Sequence, residues 1–183
     1  MFNLFRPAGT RRTIERLYGG IVAQSRHPHF YAVLGVPDTP EGRFEMLVLH
    51  TVLVCRRLKG GGEAERAMSQ DVFDAFLADM DAAMREMGVG DLTVPKRMKK
   101  VGAAFYGRAA AYDGALRDPD DAALAAALAR NILDDAAEPW AGAPRALAHY
   151  ARRAALTLER TPWETLARGE IALPAPDAAE DQT

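Results

Sequence analysis

SQDVFDAFLADMDAAMREMGVGDLTVPKRMKKVGAAFYG, residues 69–107, reads as two helices folded back on each other by a short loop. In its first half Phe73, Phe76, Leu77, Met80, Met84 and Met87 recur at the three-and-four spacing of one buried helical face. Asp71, Asp74, Asp81 and Glu86 are expected on an acidic outer side. Gly88 suits the left-handed turn that ends a helix, and Pro95 suits the first turn of the next one, where a missing N–H costs little.

The second helix begins with Lys96, Arg97, Lys99 and Lys100 crowded at the end where the backbone dipole is already positive. Each such placement costs about 0.3–1 kcal/mol before salt screening. The chain uses arginine nineteen times and lysine four times, and three of those lysines fall between positions 96 and 100. Two readings stay open: a solvated charge run, or a surface that meets an anionic partner.

Upstream, residues 40–59 read as a helix capped by Asp38 or Thr39, with Pro40 in its first turn and Glu41 near the favourable dipole end. Phe44, Leu47, Val48, Val52, Cys55 and Leu58 repeat along one face, while Met46, Leu49 and Leu53 make other faces apolar. A helix greasy on several sides belongs at the centre of a bundle. Arg56, Arg57 and Lys59 close it, and Gly60 to Gly62 form a break. Earlier still, from about Thr10, Ile14, Leu17, Tyr18, Ile21 and Val22 trace another face, with Gly19 and Gly20 either permitting close packing or weakening the middle. Between the two helices, RHPHFYAVLGVPD at 26–38 breaks the pattern but keeps Phe30 and Tyr31. Those rings either plug the end of the bundle or line a peptide groove.

Downstream, Met98, Val101, Phe105, Tyr112 and Leu116 carry the inward face to Arg117, and Asp118, Pro119 and Asp121 signal a new helix. That helix is alanine-rich, with Leu124, Leu128 and Ile132, and is expected to be peripheral and to bury little. A break at Pro139–Trp140 precedes a helix from about Pro144 carrying Leu147, Tyr150, Ala151, Ala154 and Leu158. Thr161 to Glu164 forms a capping-box pattern before a short helix ending near Arg168. The tail LPAPDAAEDQT has no periodicity and reads as disordered. The expectation is an all-α, single-domain bundle of about six helices over residues 10–170, between a flexible N-terminus at 1–9 and a disordered acidic tail at 171–183.

With 23 basic against 25 acidic residues the net charge is -2, so any attraction to nucleic acid or anionic lipid must be local. Cys55 is the single cysteine, which excludes an intramolecular disulfide, and it reads as a small core residue. The richest apolar window, Phe44 to Cys55, includes Glu45 and His50 and falls short of the roughly 20 residues that span a bilayer. With no secretory signal pattern either, the expected location is cytoplasmic, or peripheral on the inner face of the cytoplasmic membrane. His27 and His29 bracket Pro28 without companion ligands, and His50 reads as a core histidine hydrogen-bonded across helices. The glycine clusters lack a preceding strand, and Ser25 and Ser69 have no legible base, so nothing points to an enzyme, a cofactor or a metal.

Two blocks carry a resemblance. REMGVGDLTVPKRMKKVGAAFYGR, Arg85 to Arg108, and LYGGIVAQSRHPHFYAVLGVPDTPEGRFEMLVLH, Leu17 to His50, resemble the ubiquinol-cytochrome c chaperone family, assembly factors of the cytochrome bc complex. The resemblance implies a noncatalytic chaperone whose client is newly made cytochrome b. Mitochondrial relatives commonly act with a small partner protein and can sit near the ribosomal exit. An alternative is a basic-patch module for anionic lipid or ribosomal RNA, and DNA is not an expected partner. From residue chemistry, the candidate partner-binding residues are Lys96, Arg97, Lys99, Lys100, Arg108, Phe30 and Tyr31.

Overall fold

From Glu45 to Cys55 every residue is buried, so the helix that carries them, α3 (Pro40–Lys59), keeps no solvent face along its middle. In this computed structural model, which describes residues 8–134 and 140–176, α3 is surrounded by neighbours. They are α1 (Ala8–Ser25), α4 (Glu63–Glu86), α5 (Val94–Leu116), α7 (Ala143–Arg160) and a π-helical turn at Ala129–Leu133. Short helices α2 (Pro28–Ala32), α6 (Ala122–Leu128) and α8 (Trp163–Ala167) complete the bundle. The described residues contain no strand, as the periodicity predicts; eight α-helical segments stand where about six are expected, because short pieces such as α2 lie inside presumed loops. Among the described residues no helix is long and apolar enough to cross a membrane.

Local signals set the element boundaries. Thr39 Oγ1 accepts the Gly42 N–H at 3.1 Å with Pro40 in the first turn, the arrangement a helix start needs. At the other end of α3, Arg57 reaches the carbonyls of Leu158 and Thr161 at 3.0 Å each and Glu65 at 2.7 Å. One guanidinium thereby supplies donors to carbonyls at the end of α7 and ties three helices together. Apolar cohesion between α3, α4 and α5 comes from a ring cluster. Phe105 lies 4.7 Å from Phe73 and 5.4 Å from Phe76, which in turn is 6.3 Å from Phe44.

The buried polar side chains of α3 are matched by partners. His50 Nδ1 donates to the Met46 carbonyl at 2.7 Å, which leaves Nε2 to accept the Tyr150 hydroxyl at 2.6 Å. That hydroxyl accepts from Gln24 Nε2 at 3.0 Å, and the same amide donates to the Pro174 carbonyl at 2.9 Å. Every donor and acceptor in this chain is used in one direction, and it links α3, α7, α1 and the segment after α8. Burial pulls the His50 imidazole down to about 4, so it is neutral. Phe30 stands edge-on to Tyr150 at 4.8 Å and to His50 at 5.5 Å, which covers the chain from solvent.

Several expectations change. Ile171 and Leu173 pack on the core, and a Cβ at Gly20 would lie 2.4 Å from Ile171 Cγ2, so Gly20 is the seat of this segment. With Arg153 donating to the Ala175 carbonyl at 3.1 Å, residues 171–176 are held along α1 and α7 by their carbonyls, a device no periodicity reveals. The rest of the expected tail, 177–183, lies outside the described residues, as do 1–7 and Pro139. Leu124 and Leu128 of α6 and Ile132 of the π-helical turn are buried, so this stretch contributes core through a few large side chains where it was expected to bury little. Thr161 donates to Thr157 O at 2.9 Å and caps nothing, because Pro162 is the residue that precedes α8. Asp71, expected outside, is buried, and Met87, expected inside, is 68% exposed because α4 runs on past its neighbours.

Two outcomes follow from this packing. Phe76→Ala and Phe105→Ala should each cost about 3–5 kcal/mol in urea denaturation, since each empties a ring site that cannot collapse. An unfolded His50 titrates near 6.5 and the folded one at about 4, so the unfolded chain holds the extra proton between them. Stability should therefore fall as pH drops through that window, by about 3 kcal/mol in all, and His50→Gln should lack this loss in the same melts.

Candidate functional site

The α4–α5 hairpin is turned by a defined cap. Gly88, at φ 78°, allows Val89 N–H to reach the Met84 carbonyl at 3.0 Å and its own N–H to reach Arg85 O at 2.9 Å. Arg85 clamps the turn by binding Asp81 at 2.6 Å and Asp91 at 2.5 Å. Val94 is buried at the start of α5, and Pro95 sits in its first turn. The loop between them holds Leu92 out at 98% exposure, beside exposed Met87.

With Val94, Val101 and Phe105 facing inward, the 3.6-residue period turns Lys96, Lys99 and Lys100 directly outward and leaves Arg97 on one flank. All four are exposed, and among the described residues none makes an ion pair. The fourth lysine joins the same side: Lys59, at the end of α3, places Nζ 6.0 Å from the ring centroid of exposed Tyr106 on α5. Arginine is used differently, for Arg56, Arg57, Arg85, Arg108 and Arg152 all hold carboxylates. Lys59 and Tyr106 were not singled out by motif reading, though the scarcity of lysine was the available signal.

Beyond the lysines the outer side of α5 is nearly bare. Ala103, Gly107, Ala110 and Gly114 lie along it, and Cβ atoms built at Gly102, Gly107 and Gly114 would meet nothing within 4 Å. No internal close approach requires these glycines. Beside this stretch a groove of about 750 Å³ opens between α3, α5 and the end of α7. Val52, Cys55, Phe105 and Ala109 give it an apolar lining, and Arg56 crosses it, bound to Asp113 at 3.0 Å and Glu159 at 2.6 Å. Burial pushes the Cys55 thiol up to about 11, so it stays protonated as a small core group.

The remaining sequence candidates lie elsewhere. Phe30 is fully buried over His50 and Tyr150, so it plugs the bundle and presents no surface to a partner. Tyr31 is half-buried, donates its hydroxyl to Ser25 O at 2.7 Å and lies under Arg43 at 5.9 Å, beside a separate depression of about 380 Å³. Arg108 grips Glu45 with two bonds of 2.6 and 2.8 Å, tying α5 to α3, so its charge is spent inside the fold. His27 caps α2 through Nδ1, which accepts the His29 N–H at 3.3 Å.

The helix start also refines the charge argument. Thr93 is the N-cap of α5 without a side-chain bond, so Lys96 stands at the third helical position while Lys99 and Lys100 lie a turn further in, where the dipole fades. Lys96→Glu would replace a cation by an acid in the first turn, where the dipole is positive, and should raise stability by about 0.5–1 kcal/mol. Lys99→Glu with Lys100→Glu should shift it by less than about 0.5 kcal/mol, as measured by urea melts.

The profile of the family described as ubiquinol-cytochrome C chaperone matches residues 32–173, which include α3, the hairpin, the groove and α7. Ubiquinol-cytochrome c reductase complex assembly factor 1 of Mus musculus is 28% identical over 123 residues, 67% of this chain and 41% of that protein. Its Homo sapiens counterpart is 28% identical over 119 residues, 65% of this chain and 40% of that protein. The matched region thus spans about two-fifths of these curated relatives. The crystal structure of the Cbp3 homolog from Brucella abortus superposes with a TM-score of 0.83 at 44% identity, covering 92% of each chain. With the family profile running through both the central helix and the hairpin, the chain belongs to the ubiquinol-cytochrome C chaperone family.

Proposed function

We propose that the chain is a noncatalytic assembly chaperone of the ubiquinol-cytochrome c reductase complex that binds newly made cytochrome b. The observation that carries this reading is the family match over residues 32–173, to which the Brucella abortus structure adds likeness along 92% of the chain. The groove beside α5 is the contact surface we assign to the client. Its apolar lining and the bare outer side of α5 suit an apolar segment that must be held without being fixed in place. The Arg56 network that crosses it supplies polar groups for main-chain or polar atoms of such a segment.

A photo-crosslinking residue in place of Tyr106 or Ala110 should capture cytochrome b from cells assembling the complex, and one in place of Arg12 on α1 should not. Recovery of other membrane proteins without cytochrome b, in conditions that keep respiratory complexes intact, would sink the reading.

A further inference from the structure

The chain's four lysines and Arg97 are exposed cations without an ion pair among the described residues, and the hairpin tip next to Lys96 adds Met87 and Leu92, both exposed. We propose that this lysine face, with the tip of the α4–α5 hairpin, docks on an anionic lipid bilayer.

Three observations favour a bilayer over other anionic partners. First, three of the four exposed cations at the start of α5 are lysine, a hydrated point charge on a flexible stem, and Arg97 stands alone, so no set of arginine forks is offered to match a particular phosphate or carboxylate. Lipid headgroups reward summed charge near a surface without fixed geometry. Second, Leu92 at 98% exposure and Met87 at 68% gain nothing from a nucleic-acid backbone, whereas the headgroup–acyl boundary accepts aliphatic side chains beside cations. Tyr106, exposed next to Lys59, has the apolar body and polar tip that favour the same boundary. Third, the acids near the tip only part-cancel the patch: Arg85 offsets one of the two charges of Asp81 and Asp91, so with Glu86 two negative charges stand against the four positive ones of Lys96, Arg97, Lys99 and Lys100. Asp113, further along α5, is held by Arg56 and Arg117.

Vesicle sedimentation tests the proposal with the full chain and no client, so its outcome is independent of cytochrome b binding. The chain should sediment with vesicles of phosphatidylcholine mixed with phosphatidylglycerol, stay in solution with phosphatidylcholine alone, and be released as salt is raised. Lys99→Glu with Lys100→Glu, checked as folded by its urea melt, should weaken partitioning by more than about tenfold. Leu92→Trp should show quenching by brominated lipid beyond that of the native tryptophans, which locates the tip at the boundary. Equal sedimentation with both vesicle types, unchanged binding of the double glutamate variant, or a Leu92→Trp signal that ignores brominated lipid would each overturn the proposal. So would tighter retention on single-stranded RNA than on anionic vesicles at equal salt, which would assign the face to nucleic acid.

Discussion

Enclosing α3 on every side takes water away from a run of residues that includes Glu45, His50 and Thr51, and each of them must then find its partner inside the protein. Glu45 finds Arg108 on α5, His50 finds Tyr150 on α7, and Thr51 bonds back to Leu47 O at 2.7 Å. With Arg57 at the far end gripping α4 and α7, α3 is tied at three levels to different neighbours. Apolar packing is non-directional and would tolerate helices sliding along one another. The polar ties remove that freedom, and the position of α5, hence of its outward side, is a consequence of them.

This explains which features were legible in the sequence. Periodicity reports how much of a helix is apolar, so the central place of α3 and the α4–α5 hairpin could be read directly, and Gly88 and Thr39 marked ends by their own conformational needs. Pairing across helices is not periodic. Arg108 looked like an available charge because nothing local distinguishes an arginine that will meet Glu45 from one that will meet water. Pattern alone leaves Phe30 between plugging the bundle and lining a groove, because the short helix that inserts it is bracketed by Pro28 and Gly35, which read as loop. The segment after α8 reads as unstructured since its anchors are a glycine seat on α1 and the carbonyls of Pro174 and Ala175, none of which leaves a hydrophobic rhythm.

At the candidate site the legible part was charge and the hidden part was geometry. Three lysines in five residues could be seen at once, while Lys59 reaches the same side only through the crossing of α3 and α5. The interior and edge ion pairs of the described residues are built by arginine, whose rigid fork returns several bonds for one ordered side chain, and none is built by lysine, although some arginines such as Arg97 also stand exposed without a partner. Such a division puts the groove and the lysine face side by side on α5, so a protein emerging at a bilayer would meet both.

The bare outer side of α5 has a consequence in conformational entropy. A helix flank of long side chains must freeze rotamers when something settles on it, at a cost of up to about 2 kcal/mol for each long side chain. Gly107, Ala110 and Gly114 have no rotamers to lose, and the main-chain groups beneath them are already bonded within the helix. Contact there costs this helix almost no order of its own, so even a weak, short-lived association can be favourable and readily reversed.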